Sequence, residues 1–146
     1  MKIIPATTDH LPILVPLFEE YRTFYRQEAD AEAAHTFLQT RMNQKESAIF
    51  IAVADQTCAG FTQLYPIFSS LGMNRRWLLN DLYVSHDFRN MGIGTLLLEA
   101  AKDWGRATGA GALVLETEVT NVGAQRLYEK NGWKRDVGFF WYHFKL

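Results

Sequence analysis

The chain has 146 residues, of which 48% are hydrophobic and 21% charged, with a formal net charge of −1 at pH 7. This composition is typical of a folded chain and argues against an intrinsically disordered one. The near-zero charge gives no general attraction to nucleic acid, so we expect no nucleic-acid partner. The single cysteine, Cys58, excludes an internal disulfide framework and a cysteine-based zinc cluster.

The sequence shows no sign of membrane insertion or of division into several domains. The N-terminal segment lacks the apolar core of a signal peptide, and the longest apolar stretch, residues 11–18, is short and interrupted by Pro16. We therefore expect a cytoplasmic protein without a membrane partner. Because no repeat, linker or low-complexity segment is visible, residues 1–146 are predicted to form a single domain.

The first half of the chain predicts one strand, two helices and a hairpin. Residues 1–7 predict a short strand, and apolar residues at helical spacing after Leu11 predict a helix. Residues 29–44 predict a second helix. The β-rich runs at 48–54 and 61–68, separated by a turn, predict an antiparallel hairpin.

The second half predicts three strands and two helices. A strand is expected over 75–85, with Leu79, Asp81 and Tyr83 on one face and Asn80, Leu82 and Val84 on the other. An amphipathic helix ending near Gly109, a strand over 112–119, a helix over 123–133 and an aromatic strand over 136–146 follow. The resulting order, β-α-α-β-β-β-α-β-α-β, predicts a mixed α/β sheet containing one parallel crossover.

Two glycines precede the amphipathic helix in the segment Arg89-Asn-Met-Gly-Ile-Gly-Thr95. The first N–H groups of a helix lack partners within the helix and carry partial positive charge, so they bind anions. Glycine permits close approach to the backbone, and Arg89 adds a charge that suits phosphate. A diphosphate is therefore a natural ligand, although glycines also begin helices simply to make tight turns.

Two common phosphate-binding motifs do not fit this segment. A Rossmann fingerprint requires three glycines after the first strand of a βαβ unit, and a P-loop requires Gly-Lys-Ser/Thr. Here only two glycines occur, late in the chain, and no Gly-Lys-Ser/Thr follows. A phosphate-binding protein of another kind remains open at this point.

The segment Tyr83-Val-Ser-His-Asp-Phe-Arg-Asn-Met-Gly-Ile-Gly94 resembles the acetyl-CoA-binding motif of the GNAT superfamily of N-acetyltransferases. The strand before it, the helix after it and residues 120–133 also resemble that superfamily. The resemblance implies a mostly antiparallel central sheet of about six to seven strands with helices on both faces. It also implies a bulged fourth strand that splays from a parallel fifth strand.

The resemblance further implies the residues of the acetyl-CoA site. Backbone amides of residues 90–95 are expected to hold the pyrophosphate, and the backbone of residues 82–84 to pair with pantetheine. Asn121 is expected to bind the cofactor arm, and Tyr128 to protonate the departing thiolate. The complete set of expected cofactor-binding residues is Leu82, Tyr83, Val84, Arg89, Asn90, Met91, Gly92, Ile93, Gly94, Thr95, Asn121, Ala124 and Tyr128.

A base is also needed, because an alkyl ammonium is mostly protonated at neutral pH. Asp81 and Glu116 are the candidates, and a structural role is the alternative for each. The strand resembles that of spermidine/spermine and related small-amine acetyltransferases. There the residue before the aspartate is commonly a catalytic glutamate, whereas this chain has Asn80, which cannot act as a base.

The expected activity is acetyl transfer from acetyl-CoA to a primary amine by direct attack, with a small or polyamine-like acceptor favoured. A peptide N-terminus, a lysine side chain, an aminoglycoside and a non-catalytic acyl-CoA sensor are the alternatives. His86 and His143 lack metal-ligand spacing, so no metal is expected. Homodimers are frequent in the family, which makes a homodimer the expected assembly.

Overall fold

The computed structural model describes all 146 residues and contains five strands and four α-helices. The strands are β1 (Lys2–Pro5), β2 (Ala48–Ala54), β3 (Thr57–Ser69), β4 (Asn74–Val84) and β5 (Ala112–Val114). The helices are α1 (Leu11–Phe24), α2 (Ala31–Asn43), α3 (Ile93–Ala107) and α4 (Val122–Lys130), and 3₁₀ turns span Thr8–His10 and His86–Phe88. None of the helices is both long and apolar enough to cross a membrane.

The chain divides into two compact units, Met1–Glu116 and Thr117–Leu146. The first unit contains the whole sheet, in the order β1-β2-β3-β4-β5. The first three strand pairings are antiparallel, and β4 and β5 are parallel. Helix α3 connects the two parallel strands, as the predicted crossover requires. The predicted mixed α/β class is therefore confirmed.

Helices cover both faces of the sheet in the first unit. On one face, α1 and α2 bury a cluster that includes Leu14, Leu38, Ile51 and Phe61. On the other face, α3 packs Ile93 and Leu97 against smaller residues of β2 and β3. Burial of these apolar side chains stabilises the fold and fixes α1 and α3 on opposite sides of β4.

The sheet has fewer strands than the expected six to seven, and two strands differ from their predicted bounds. Strand β5 ends at Val114, although the apolar pattern predicted a strand to residue 119. Residues 136–146 form no strand, and their aromatic side chains are exposed, from Trp141 at 72% to Tyr142 at 91%. Alternation and β-propensity are local signals, whereas a strand also requires a neighbouring backbone to pair with.

Candidate active site

One half of β4 lies at an open edge of the sheet. Pairing with β5 joins Arg76–Leu78 to Ala112–Val114 and stops there, so Leu79–Val84 have no β5 neighbour. Along their other edge these residues pair with β3. Such an edge can accept an added extended chain through its backbone N–H and C=O groups. The expected parallel pairing of β4 and β5 is therefore confirmed, and on β4 it ends at Leu78.

A β-bulge lies within this half of β4. Gln63 of β3 pairs with Asp81, but the next residue, Leu64, pairs with Leu79, which leaves Asn80 as the extra residue. Beyond the bulge, Tyr83 packs in the α1 cluster, whereas Leu82 and Val84 pack in the α3 cluster. The alternation predicted for these three residues is correct. A bulge interrupts such alternation and re-aims the side chains beside it.

The carboxylate of Asp81 is buried beside the bulge and is held by three side chains. The Tyr21 hydroxyl donates to Oδ1 at 2.7 Å, and the Asn80 amide donates to the same oxygen at 2.9 Å. The Gln63 amide donates to Oδ2 at 2.7 Å. Asp81 itself is 4% exposed, so this carboxylate has a fixed orientation and little contact with solvent.

Burial raises the pKa of Asp81 above the usual range for an aspartate, and the hydrogen bonds from Gln63, Tyr21 and Asn80 oppose that shift. Burial, followed by the nearby Asp81 charge, raises the pKa of Tyr21 well above its ordinary value, so its hydroxyl remains a proton donor. A carboxyl with a raised pKa beside an open strand edge is a candidate acid–base group.

The glycine segment forms a tight turn that leads into α3. Asn90 and Gly92 both have positive φ, +62° and +79°, and Gly92 is the N-cap of the helix. The Leu96 N–H donates to the Gly92 carbonyl at 3.2 Å, so the helical hydrogen-bond ladder begins after the first-turn amides. A Cβ built on Gly92 meets no atom within 4 Å, which shows that this backbone faces open space.

The side chain of Arg89 has its partners within the protein. Its guanidinium lies 5.6 Å from the ring centroid of Phe24 and 5.5 Å from that of Tyr83. Its Nε donates to the Val84 carbonyl at 3.2 Å, and Nη2 donates to the Tyr83 hydroxyl at 3.4 Å. Arg89 therefore ties the glycine turn to the end of β4, an arrangement that the motif alone did not predict.

Glu20 of α1 binds the same end of β4 and was not predicted from the sequence. Its Oε1 accepts from the Tyr83 hydroxyl at 3.0 Å and from the His86 N–H at 3.1 Å. The Ser85 hydroxyl lies within hydrogen-bond distance of both carboxylate oxygens, at 3.2 and 3.1 Å. These partners are more than sixty residues away in the chain, and no local sequence signal connects them to Glu20.

The remaining polar candidates of the first unit lie at its surface. Glu116 is exposed and follows β5 by two residues, so it is not on the strand where the sequence placed it. The imidazole Nδ1 of His86 lies 3.7 Å from an Asp87 carboxylate oxygen, and both side chains are exposed. No group of three His, Cys, Asp or Glu residues is arranged to hold a metal ion.

The second unit contains the other predicted site residues. Asn121 is the N-cap of α4, and its Oδ1 accepts from the Ala124 N–H at 3.1 Å. The Tyr128 ring lies 6.1 Å, between centroids, from the ring of Trp133 near the end of the same helix. His143 lies in the exposed terminal segment. The Asn121 cap explains why α4 begins at Val122.

The parallel β4 and β5 pair joined by α3, the bulge in β4 and the glycine turn at the start of α3 agree with the fold that the resemblance implied. Residues 14–133 match the sequence model of the acetyltransferase (GNAT) family. The chain belongs to this family, and it is an acetyl-CoA-dependent N-acetyltransferase.

Two relatives and one solved structure are similar over most of their length. The uncharacterized N-acetyltransferase YhfO of Bacillus subtilis (strain 168) is 46% identical over 142 residues, 97% of this chain and 95% of YhfO. A probable acetyltransferase of Haemophilus influenzae (strain ATCC 51907 / DSM 11121 / KW20 / Rd) is 38% identical over 117 residues, 80% of each chain. The crystal structure of a probable acetyltransferase superposes with a TM-score of 0.95 at 41% identity, covering 100% of this chain and 98% of that chain.

Proposed function

We propose that the acceptor is the primary amine of a small, polyamine-like molecule, which attacks acetyl-CoA directly. The observation that carries this proposal is the buried Asp81 carboxylate beside the unpaired half of β4. A carboxylate held there attracts a cationic amine and also provides a base to remove its proton. Acetyl-CoA supplies an activated acetyl group, and the chain supplies orientation and proton transfer.

The backbone at the start of α3 is proposed to hold the pyrophosphate. The open space above Gly92 and the positive end of a fifteen-residue helix support this assignment. The unpaired edge of Leu82, Tyr83 and Val84 is proposed to pair with pantetheine, and one of their N–H groups to polarise the thioester carbonyl. Arg89 contributes by fixing the turn, because its guanidinium is bound within the protein.

The path of the amine proton is proposed to pass through Tyr21. Asp81 is almost fully buried, whereas Tyr21 is only partly buried and its hydroxyl lies 2.7 Å from Oδ1 of Asp81. The amine proton moves to the Tyr21 oxygen as the Tyr21 hydroxyl proton moves to Asp81. Glu116, whose side chain is exposed, is retained as a second candidate base.

Residues of the second unit complete the proposed set. Asn121 and Ala124 are proposed to bind the cofactor arm, and the Tyr128 hydroxyl is proposed to donate a proton to the sulfur that leaves. The match to the family's Asn…Ala…Leu-Tyr signature supports these three roles.

A panel of amines with acetyl-CoA tests the proposed acceptor directly. Release of free CoA thiol is expected with a diamine or polyamine at a lower KM than with a peptide N-terminus, a peptidyl lysine or an aminoglycoside. Preference for one of the other amines would overturn the acceptor class. Binding of acetyl-CoA with no thiol release from any amine would indicate a sensor instead.

Replacement of Gly92 with alanine is expected to weaken acetyl-CoA binding about tenfold, or about 1.4 kcal/mol. The added methyl group would occupy the open space through which a pyrophosphate approaches the backbone. Gly109→Ala is a matched control, because Gly109 also has positive φ and open space around its Cβ position. Calorimetry should show similar losses of stability for both variants but weaker acetyl-CoA binding only for Gly92→Ala; equal affinities would refute this placement.

We also propose that the protein is a homodimer. The exposed terminal segment, which includes Phe139, Phe140, Trp141 and Phe144, supports this assembly, because isolated chains rarely expose so much aromatic surface. Sedimentation equilibrium should give twice the chain mass of 16.8 kDa. The double substitution Phe140→Ser and Phe144→Ser is expected to shift the species to monomer; a monomeric wild type would exclude the dimer.

A further inference from the structure

Glu20 lies at the centre of a hydrogen-bonded group that joins α1 to the end of β4 and to the turn after it. Its carboxylate accepts from two side-chain hydroxyls, Tyr83 and Ser85, and from the backbone N–H of His86. Hydrogen bonds to a charged acceptor are stronger than those between neutral groups. One side chain therefore restrains three of the four positions from 83 to 86.

Arg89 extends this group to the start of the glycine turn. The Tyr83 hydroxyl donates to Glu20 and accepts from Arg89, so it links an anion to a cation. Burial, followed by the Glu20 carboxylate, raises the pKa of Tyr83, which keeps its hydroxyl protonated for this role. Arg89 is in turn packed on Phe24, one turn of α1 beyond Glu20. Helix α1 therefore contacts both ends of the 83–89 segment, through Glu20 at Tyr83 and through Phe24 at Arg89.

We propose that Glu20 is a positioning residue for acetyl-CoA binding, holding residues 83–89 so that the glycine turn is ready to receive the pyrophosphate. This inference rests on the proposed function of that turn. A segment that is ordered before binding lowers the entropic cost of binding. Loss of the hydrogen bonds to Glu20 should therefore appear mainly as weaker affinity for acetyl-CoA. Glu20 itself does not touch the reacting atoms in this proposal.

The neighbouring residue, Tyr21, serves as an internal contrast. Its hydroxyl holds Asp81, which lies toward the proposed acceptor end, whereas Glu20 holds the segment that leads to the proposed cofactor end. Adjacent residues of one helix are therefore expected to affect different kinetic parameters. Substitution at Glu20 should raise the KM for acetyl-CoA, and substitution at Tyr21 should lower kcat.

The test measures acetyl-CoA affinity by calorimetry for the full-length wild type, Glu20→Ala and the control Glu32→Gln, which removes an exposed carboxylate from α2. Glu20→Ala is expected to raise the Kd about tenfold with kcat at saturating acetyl-CoA within about twofold, and Glu20→Gln to fall between Ala and wild type. Glu32→Gln should match wild type.

Unchanged acetyl-CoA affinity in folded Glu20→Ala, with or without a lower Tm, would overturn the inference while leaving the proposed function intact. A kcat loss larger than the Kd change would also overturn it. If Glu20→Ala does not fold, Ser85→Ala takes its place and is expected to raise the Kd about threefold. Wild type that fails to bind acetyl-CoA would overturn the proposed function itself.

Discussion

Replacing Asp81 with asparagine is expected to lower kcat for amine acetylation by about 10²- to 10⁴-fold, the usual contribution of a positioned base. Asparagine preserves the shape of the side chain but cannot take up a proton. In wild type, kcat should fall as pH drops through the raised pKa of Asp81, because only the ionised carboxylate accepts the proton. Fixed-time assays of CoA release at a series of pH values should show this fall in kcat at low pH for wild type and no such fall for Asp81→Asn.

Stability separates this catalytic effect from a structural one. A carboxyl whose pKa is raised by folding favours its protonated form in the native state, so its contribution to stability is lost as pH rises through the native pKa. Asparagine carries no charge, so Asp81→Asn removes the cost of burying an ionised carboxylate. The variant is therefore expected to unfold at a Tm equal to or above that of wild type at neutral pH. A folded Asp81→Asn variant with full kcat would eliminate Asp81 as the base.

Replacing Tyr128 with phenylalanine is expected to lower kcat about 100-fold while leaving the Kd for acetyl-CoA nearly unchanged. The ring and its contact with Trp133 are retained, and the proposed proton donor is lost. Rapid-quench measurement of the first turnover, together with calorimetry, distinguishes the two parameters. Tyr142→Phe is the matched control, because Tyr142 is in the same unit and is 91% exposed.

Weaker acetyl-CoA binding with unchanged turnover in Tyr128→Phe would refute the acid role and assign the hydroxyl to binding. An effect of equal size in Tyr142→Phe would point instead to a general disturbance of the second unit. Either result would leave the family assignment unaffected, since that assignment rests on the match over residues 14–133 and on the fold.

The parts of the fold that were predictable from the sequence depend on local patterns. Helical spacing predicted α1 and α3, alternation predicted which cluster receives Tyr83, Leu82 and Val84, and two glycines predicted the start of α3. Each of these signals is contained within a short stretch of sequence. The order of elements then sufficed for the parallel crossover, and the segment from Tyr83 to Gly94 indicated the family.

Features that depend on distant partners were missed. The apolar and aromatic run at 136–146 has the pattern of a strand, but the pattern does not contain the neighbour that a strand needs. In the sequence, Glu20 resembles any other charged residue of a helix, because its partners Ser85 and His86 come close to it only in the folded chain. The contacts of Arg89 with the rings of Phe24 and Tyr83 were also not predicted, because the motif around Arg89 does not contain Phe24.

The bulge has a consequence for how β4 tolerates a change in length. Removing one residue from a regular strand reverses the face of every side chain on one side of the gap. Asn80 is the surplus residue between two pairs, Leu79 with Leu64 and Asp81 with Gln63. A chain shortened at Asn80 would therefore keep both pairs and both faces, and would lose the local bend together with the hydrogen bond from Asn80 to Asp81.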